Sequence, residues 1–372
     1  MLSSELGSHW PEQFLQERER VLAALGDIGA GGIVEDAQHI GATSVPGLLA
    51  WPCVDIGVSI WPFPLGPQHQ GALAALGYAP VPSQAGAHDQ RFSHPGGFQL
   101  LLLEAGGEYW ADYRIISEYL RHDAAARGAY AAAKRAWAAR DGDQSAAYQA
   151  AKAEYYRTLL AAARAWWVER QGFGPAEALA RELHGIGCAW YISGGWALDL
   201  FLGQAQRVHL DVDVVIARAD QLALQAHMAG RGWRLQTPLD GQLESWPAHT
   251  RLELPRHQVH AHRGGVFIDF QLSEIEHGVW HYRRDPAIIR SAERMWLSSA
   301  GGIPFLAPEL ALLFKSQNTS GRERAKDQAD FERVYAQLDP ERRAWLRWAL
   351  LATDPAHAWI ERLAAGGPAL PS

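Results

Sequence analysis

The sequence predicts an α/β (α+β) protein of two mixed-sheet modules, each followed by a run of helices, and three observations lead there. A strand, a Gly/Ser/Thr turn and a second strand occur twice, in IVEDAQHIGATSVPGLLAWPCVDIGVSI (33–60) and from Tyr191-Ile-Ser-Gly-Gly to Asp211-Val-Asp-Val-Val-Ile. Each is followed by helical patterning, at 108–168 and at 307–352. Between them Gln171-Gly-Phe-Gly-Pro clusters Gly and Pro where a helical pattern ends, which sets the expected domains at 1–170 and 174–366. With 372 residues, each module is long enough to bury its own core.

In chain order, residues 14 to 26 read as a helix, and the first strand–turn–strand follows. After Leu100 to Glu104 the Ala-rich stretch 108–168, broken near Arg121-His-Asp and Asp141-Gly-Asp, predicts about three helices whose Tyr and Trp residues form packing surface. The second module predicts helices at 175–185 and 196–203 and strands at 188–193, 210–217, 257–263 and 265–272. Helices at 307–318, 322–337 and 340–352 follow, the first and last opening on Pro308 and Pro340.

Composition narrows the function classes. Hydrophobic content of 48% with 20% charged residues is that of a globular protein, and a net charge of -7 gives no general pull toward nucleic acid or an anionic membrane. The start lacks a basic segment followed by an apolar stretch, and no run of about 18 apolar residues occurs, so a cytoplasmic location with small-molecule partners is expected. Cys53 and Cys188 each sit in an apolar run and read as thiols rather than a disulfide.

The second module carries the chemistry. Gly194 and Gly195 end a strand and open a helix, where backbone N–H groups can approach a phosphate closely. Side chains alternate along a strand, so Asp211 and Asp213 share one face while Val212, Val214 and Ile216 feed the other. Adjacent carboxylates call for a hard divalent ion such as Mg²⁺, and Asp269, the lone acid in Val266-Phe-Ile-Asp-Phe-Gln-Leu, is the expected third ligand and proton acceptor. Ser193, Arg207 and His209 are expected to line the nucleotide site, with Lys315 and Lys326 reaching phosphate from later helices. His257-x-x-His260-x-His262 invites a zinc reading, but only two of its imidazoles would share a face and no Cys is near, so paired-strand histidines are the expectation.

These residues, GGWALDLFLG with R-x-H-x-D-x-D, resemble the aminoglycoside adenylyltransferase-like branch of the DNA polymerase beta nucleotidyltransferase superfamily. Tyr282-Arg-Arg-Asp-Pro, Ile303-Pro-Phe-Leu-Ala-Pro-Glu-Leu-Ala-Leu-Leu-Phe-Lys and Arg324-Ala-Lys-Asp-Gln-Ala-Asp-Phe extend the resemblance over about 174–352. It implies a nucleotidyltransferase-like fold and transfer of a nucleoside monophosphate, expected to be AMP, from an NTP such as ATP to a hydroxyl of a small acceptor, with an aminoglycoside-like antibiotic as the family-level suggestion. The acidic residues Asp240, Glu244 and Glu253 would suit a polycationic acceptor. Transfer to a protein side chain or an RNA end, and a non-catalytic nucleotide-binding role, stay open at this point.

His39-Ile-Gly-Ala-Thr-Ser-Val-Pro-Gly-Leu and Val54-Asp-Ile-Gly-Val, with the opening HWPEQFLQERERV, Tyr148 and Lys152, resemble the GrpB family over about 8–168. That family has the same nucleotidyltransferase-like fold, implying two related modules. Trp51-Pro52 stands where the family often reads Lys-Pro, Ala42 where it reads Ser, and Gln99-Leu-Leu where it reads His-x-His. Gly57 is taken to occupy the place of a second acid, leaving Asp55 as the one strand carboxylate. The first module is therefore expected to be catalytically weakened, with the Gly41 to Ser44 turn still available to a nucleotide or acceptor.

Overall fold

The computed structural model describes residues 9–26, 33–82, 88–141, 145–239, 242–316 and 325–364. The chain divides into two compact units, Met1–Arg170 with Arg263–Val266, and Gln171–His262 with Phe267–Ser372.

The first unit opens on α1 (Trp10–Leu25), which starts earlier than the apolar spacing alone indicated because Pro11 suits a first helical turn. Trp10, Phe14, Val21, Leu22 and Leu25 form its buried stripe. Then come β1 (Val34–Ile40), β2 (Val54–Ile60), α2 (Pro67–Ala75), β3 (Ala79–Val81), β4 (Asp89–His94) and β5 (Phe98–Glu104). The sheet order is β1-β2-β5-β4-β3, with β2 parallel to β5 and the other pairs antiparallel. Val54, Ile56, Val58, Ile60, Leu100 and Leu102 face the core that α1 covers, while Ile40, Leu101 and Leu103 pack on Trp110.

Three helices follow, α3 (Glu108–His122), α4 (Ala124–Asp141) and α5 (Ala146–Gln171). Asp123 separates the first two, its carboxylate accepting from the Ala126 N–H at 2.8 Å, the local competition by which a short acid ends one helix and caps the next. Of the other predicted break, Asp141 ends α4 and 142–144 lie outside the described residues.

The second unit begins with α6 (Gly174–Glu182), β6 (Trp190–Ile192), α7 (Gly194–Leu202), β7 (Val212–Ala217) and α8 (Gln221–Gly230). It continues through β8 (Arg234–Leu239), β9 (Gln242–Ser245), β10 (Gln258–Arg263) and β11 (Val266–Ser273). The short strands β12 (Ile275–Glu276), β13 (Val279–His281), β14 (Ile289–Ser291), β15 (Trp296–Ser298) and β16 (Pro304–Leu306) escape the pattern reading because two or three residues are too few to show alternation. The main sheet runs β15-β16-β6-β7-β11-β10-β8-β9, and β12-β13-β14 form a separate small sheet.

The unit closes with α9 (Pro308–Ser316), α10 (Ala325–Val334), α11 (Pro340–Thr353) and α12 (Trp359–Ala364). Asp339 caps α11 by accepting from the Arg342 N–H. Glu309, fully buried on α9, is held by Arg290 at 2.9 Å and Arg342 at 2.7 Å, so the burial of its charge is compensated on two sides. That anchor ties α9 to β14 and α11. No described helix is long and apolar enough to cross a membrane.

Candidate active site

Strand β6 delivers the chain to a tight turn where Ser193 is extended and Gly194, the first residue of α7, adopts a φ of +63°. Glycine is required there twice over. An L side chain rarely adopts this φ, and a Cβ at Gly194 would lie 1.9 Å from Asp213 Oδ2. The backbone of the turn and the carboxylate on β7 are therefore in direct contact, and the Ser193 N–H donates to the Asp213 carbonyl at 2.8 Å. Gly195 is excluded from bearing a side chain by other neighbours: its Cβ would meet Arg207 Nη2 at 2.3 Å and His209 Cε1 at 2.4 Å. Ser193, Gly194, Gly195, Asp213, Arg207 and His209 are thus gathered at one turn.

The loop from Gly203 to Asp211 is held by Asp199, a buried acid on α7. Its Oδ2 accepts from the Gln206 N–H at 2.9 Å and from His209 Nε2 at 2.7 Å. Burial lowers the His209 pKa against that opposing hydrogen bond, and the ring packs at a tilt on Trp196 with centroids 4.4 Å apart. Asp199 was absent from the sequence expectations, since an acid in an otherwise apolar helix gives no sign of which loop it will tether.

Strands β7 and β11 are parallel and pair Asp213 directly with Asp269, while Val212, Val214 and Ile216 pair with Ile268, Phe270 and Leu272. Asp269 therefore stands beside Asp213 on the same face, as alternation predicts. Burial first, then the charges of Asp211 and Asp269, push the Asp213 pKa well above the carboxylate range; Lys315 and Lys326 pull the other way. Asp269 is raised to about 7 by burial and then by Asp211, opposed by hydrogen bonding from Gln258. Gln258 Nε2 donates to Asp269 Oδ2 at 3.0 Å and Gln271 Nε2 to Asp213 Oδ1 at 3.2 Å. Both glutamines were missed. The signal was present for Gln271, which lies two residues from Asp269 on the same face of its strand.

Two buried oxygens here, Ser193 Oγ and Asp269 Oδ1, have no hydrogen-bond partner among the described residues. His260 Nε2 lies 3.9 Å from Asp269 Oδ1, beyond hydrogen-bonding distance. Buried polar atoms are rarely left unpaired, and at a turn beside three carboxylates they fit an oxygen-bearing ligand and a hard cation. Among the described residues no group of three or more His, Cys, Asp or Glu side chains forms a ready-made metal cage. Mg²⁺ commonly takes one or two carboxylates plus waters and substrate phosphates, so Asp211, Asp213 and Asp269 fit it as a partial ligand set completed by nucleotide.

Lys315 lies close enough for its charge to act on Asp213, yet its ammonium is already paired with Asp327 at 2.9 Å and Asp330 at 2.8 Å. Burial alone would raise Asp330; Lys315 and Arg207 overcome it and hold the carboxyl at about 2. Arg207 binds Asp330 through Nε and Nη2 at 3.3 and 3.2 Å. Lys315 is thus part of a buried network joining α9, α10 and the loop before β7. Lys326 is exposed on α10.

The histidines of H-x-x-H-x-H assemble no metal group; His260 and His262 instead pack on Phe267 with centroids 5.0 and 4.9 Å apart. Of the three acids expected to attract a polycation, Asp240 lies outside the described residues, Glu244 pairs with Arg256, and Glu253 is exposed. Cys53 and Cys188 are free thiols.

In the first unit Gly41, with φ of +71°, approaches Asp55 as Gly194 approaches Asp213: a Cβ there would lie 2.2 Å from Asp55 Oδ2. Asp55 pairs with Gln99 across parallel β2 and β5, as Asp213 pairs with Asp269. Asp55 therefore occupies the place of Asp213, Cys53 that of Asp211, and Gln99 that of Asp269. This corrects the sequence alignment of Gly57 with the second acid. Gly57 lies two residues further on, where a Cβ would meet Ile40 at 2.8 Å and Trp110 at 3.0 Å, so it is glycine for packing.

Comparison with known proteins agrees with this division. A model of the GrpB protein family matches residues 4–162, and a model of the aminoglycoside-2''-adenylyltransferase family matches 177–334. The UPF0157 protein SCO7215 of Streptomyces coelicolor is 36% identical over 135 residues, covering 36% of this chain and 68% of that protein. Among solved structures, the conserved protein GrpB from Enterococcus faecalis matches with 21% identity and a TM-score of 0.38, over 42% of this chain and 93% of that one. The antibiotic-resistance factor ANT(2'')-Ia matches with 16% identity and a TM-score of 0.35, over 50% of this chain and 92% of that one.

Proposed function

Because the chain belongs to the GrpB (UPF0157) family through its amino-terminal unit and carries an aminoglycoside-2''-adenylyltransferase domain behind it, we propose that the second unit adenylylates a small hydroxylated acceptor, with ATP as donor and Mg²⁺ as cofactor. The acceptor class this reading favours is an aminoglycoside-like antibiotic. The observation that carries it is the meeting of three acids with a glycine turn, where two buried oxygens, Ser193 Oγ and Asp269 Oδ1, await partners.

The chain's own groups divide the work. Gly194 and Gly195 bare the backbone so that a triphosphate can approach the start of α7, and the Ser193 hydroxyl is placed to donate to a phosphate oxygen. Mg²⁺ held by Asp211, Asp213 and the nucleotide's own phosphate oxygens would supply charge neutralisation for the triphosphate and the departing pyrophosphate. Asp269, steadied by Gln258, takes the proton of the acceptor hydroxyl. That oxygen bonds to the α-phosphorus as the bond from the α-phosphorus to the bridging oxygen breaks, and pyrophosphate leaves with the electron pair. Burial raises the proton affinity of the Asp269 carboxylate. Arg207 and His209 shape the first turn of α7, and the exposed Lys326 adds positive potential at Asp213.

The test is incubation of the purified chain with Mg²⁺, α-labelled ATP and a panel of aminoglycosides and lincosamides. Labelled acceptor should form with wild type and be lost in Asp269→Asn, while ATP binding by that variant persists. Retained transfer in Asp269→Asn would remove the proposed base from the reaction.

A further inference from the structure

The first unit reproduces the glycine-to-acid approach of the second and surrounds it with the opposite charge. Two of the three acid positions are neutral, Cys53 and Gln99, and the remaining acid, Asp55, is acted on by Lys152, Arg91 and Lys134. Each cation comes from a different element, α5, β4 and α4, so the gathering is a product of the tertiary fold rather than of a basic run in sequence.

Lys134 is only 3% exposed, and its ammonium donates to a neutral group, the Leu49 carbonyl, at 2.5 Å while lying 5.5 Å from the centre of the Tyr130 ring. Arg91 is paired with Asp89 at 2.7 Å, and its guanidinium also reaches the Tyr113 hydroxyl at 3.5 Å. Burying cations beside one another is costly unless anionic charge is supplied. Consistent with a shortage of it, burial first and then Lys152 bring the Lys134 pKa down to about 8, and burial lowers Lys152 against the pull of Asp55. A divalent cation has no place among these groups; an anion with several oxygens does, since two ammonium groups, a guanidinium and tyrosine hydroxyls are all donors.

We propose that the first unit binds a phosphate-bearing anion without divalent metal, held by Lys152 and Lys134 beside Asp55. The ligand chemistry is a phosphate or diphosphate group, carried by a nucleotide or by inorganic pyrophosphate. This inference rests on the charges of the first unit alone and does not depend on what the second unit transfers.

The experiment is calorimetric titration of the full chain in excess EDTA with ADP and, separately, with inorganic pyrophosphate. Saturable binding is expected, weakened by about tenfold or more in Lys152→Gln, the loss of one charged hydrogen bond, and restored in Lys152→Arg. Tighter binding of ADP assigns the group to a nucleotide, and tighter binding of pyrophosphate to the inorganic ion. Arg91→Gln, altering an exposed side chain, repeats the test should Lys152→Gln fail to fold. No EDTA-resistant binding of either probe, or unchanged binding in a Lys152→Gln protein that melts as wild type, would overturn the proposal.

Discussion

Two turns in this chain bring a left-handed glycine against a strand carboxylate, Gly41 on Asp55 and Gly194 on Asp213, yet one carboxylate stands among acids and the other among cations. The difference separates framework from chemistry. The framework needs a glycine of positive φ and a parallel strand pairing, and both units have them. On the proposals above, the kind of ion served would be set by a handful of side chains: Asp211 and Asp269 against Cys53 and Gln99, with Lys134 and Lys152 added. A fold of this kind can thus be kept while its ligand changes sign.

The comparison can be broken most severely at the acids. Asp213→Asn should lower adenylyl transfer by roughly 10³-fold, the scale of losing a group that organises charge in the transition state, as read by initial rates with labelled ATP. Asp269→Asn should lower kcat by roughly 10²-fold or more while ATP affinity, followed by titration, stays within a few-fold.

At the glycines, Gly194→Ala and Gly41→Ala should each destabilise their unit by about 1–3 kcal/mol through backbone strain, with further cost from the carboxylate each new Cβ would strike. Chemical denaturation would measure both. Only Gly194→Ala should also reduce transfer.

The smallest effects concern pH. Asp269 and Asp55 have folded-state pKa values of about 7 and about 6, raised from 3.8 chiefly by burial. For an acid raised in this way, ionisation in the folded state costs stability; the cost is full above the folded pKa and is relieved as pH falls toward the unfolded value. Asp269→Asn should therefore melt a few degrees above wild type at pH 8 and lose that advantage as pH is lowered through 7 toward 4. Asp55→Asn should show the same trend, smaller and centred lower, because Lys152 and Lys134 already offset part of the charge. Thermal melts of the apo protein across that range decide both.

The sequence made two of the acids legible because alternation on a strand is strict: Asp213 and Asp269 could be assigned to a face without coordinates, whereas Asp211 lies just before β7. The glycine turn was legible for a similar reason, since Gly194 and Gly195 punctuate a strand-to-helix transition. What escaped was anything decided by distance between elements. Asp199, Gln258 and the pairing of Lys315 with Asp327 and Asp330 depend on how α7, β10 and α9 meet their neighbours. A lone lysine on a helix, such as Lys315, carries no record of the acids it will face. Gly57 was mistaken for a missing acid because spacing was counted from Asp55 forward; the strand pairing with Gln99 shows that the count runs backward to Cys53.

The central claim is that one unit transfers an adenylyl group and the other, built on the same framework, does not. Its most direct test compares Asp213→Asn with Asp55→Asn in a single transfer assay with Mg²⁺, α-labelled ATP and an acceptor accepted by wild type. Transfer should vanish in Asp213→Asn and stay within about twofold of wild type in Asp55→Asn, the range expected where no transition-state contact is removed. Equal loss in both variants, or loss only in Asp55→Asn, would contradict the account.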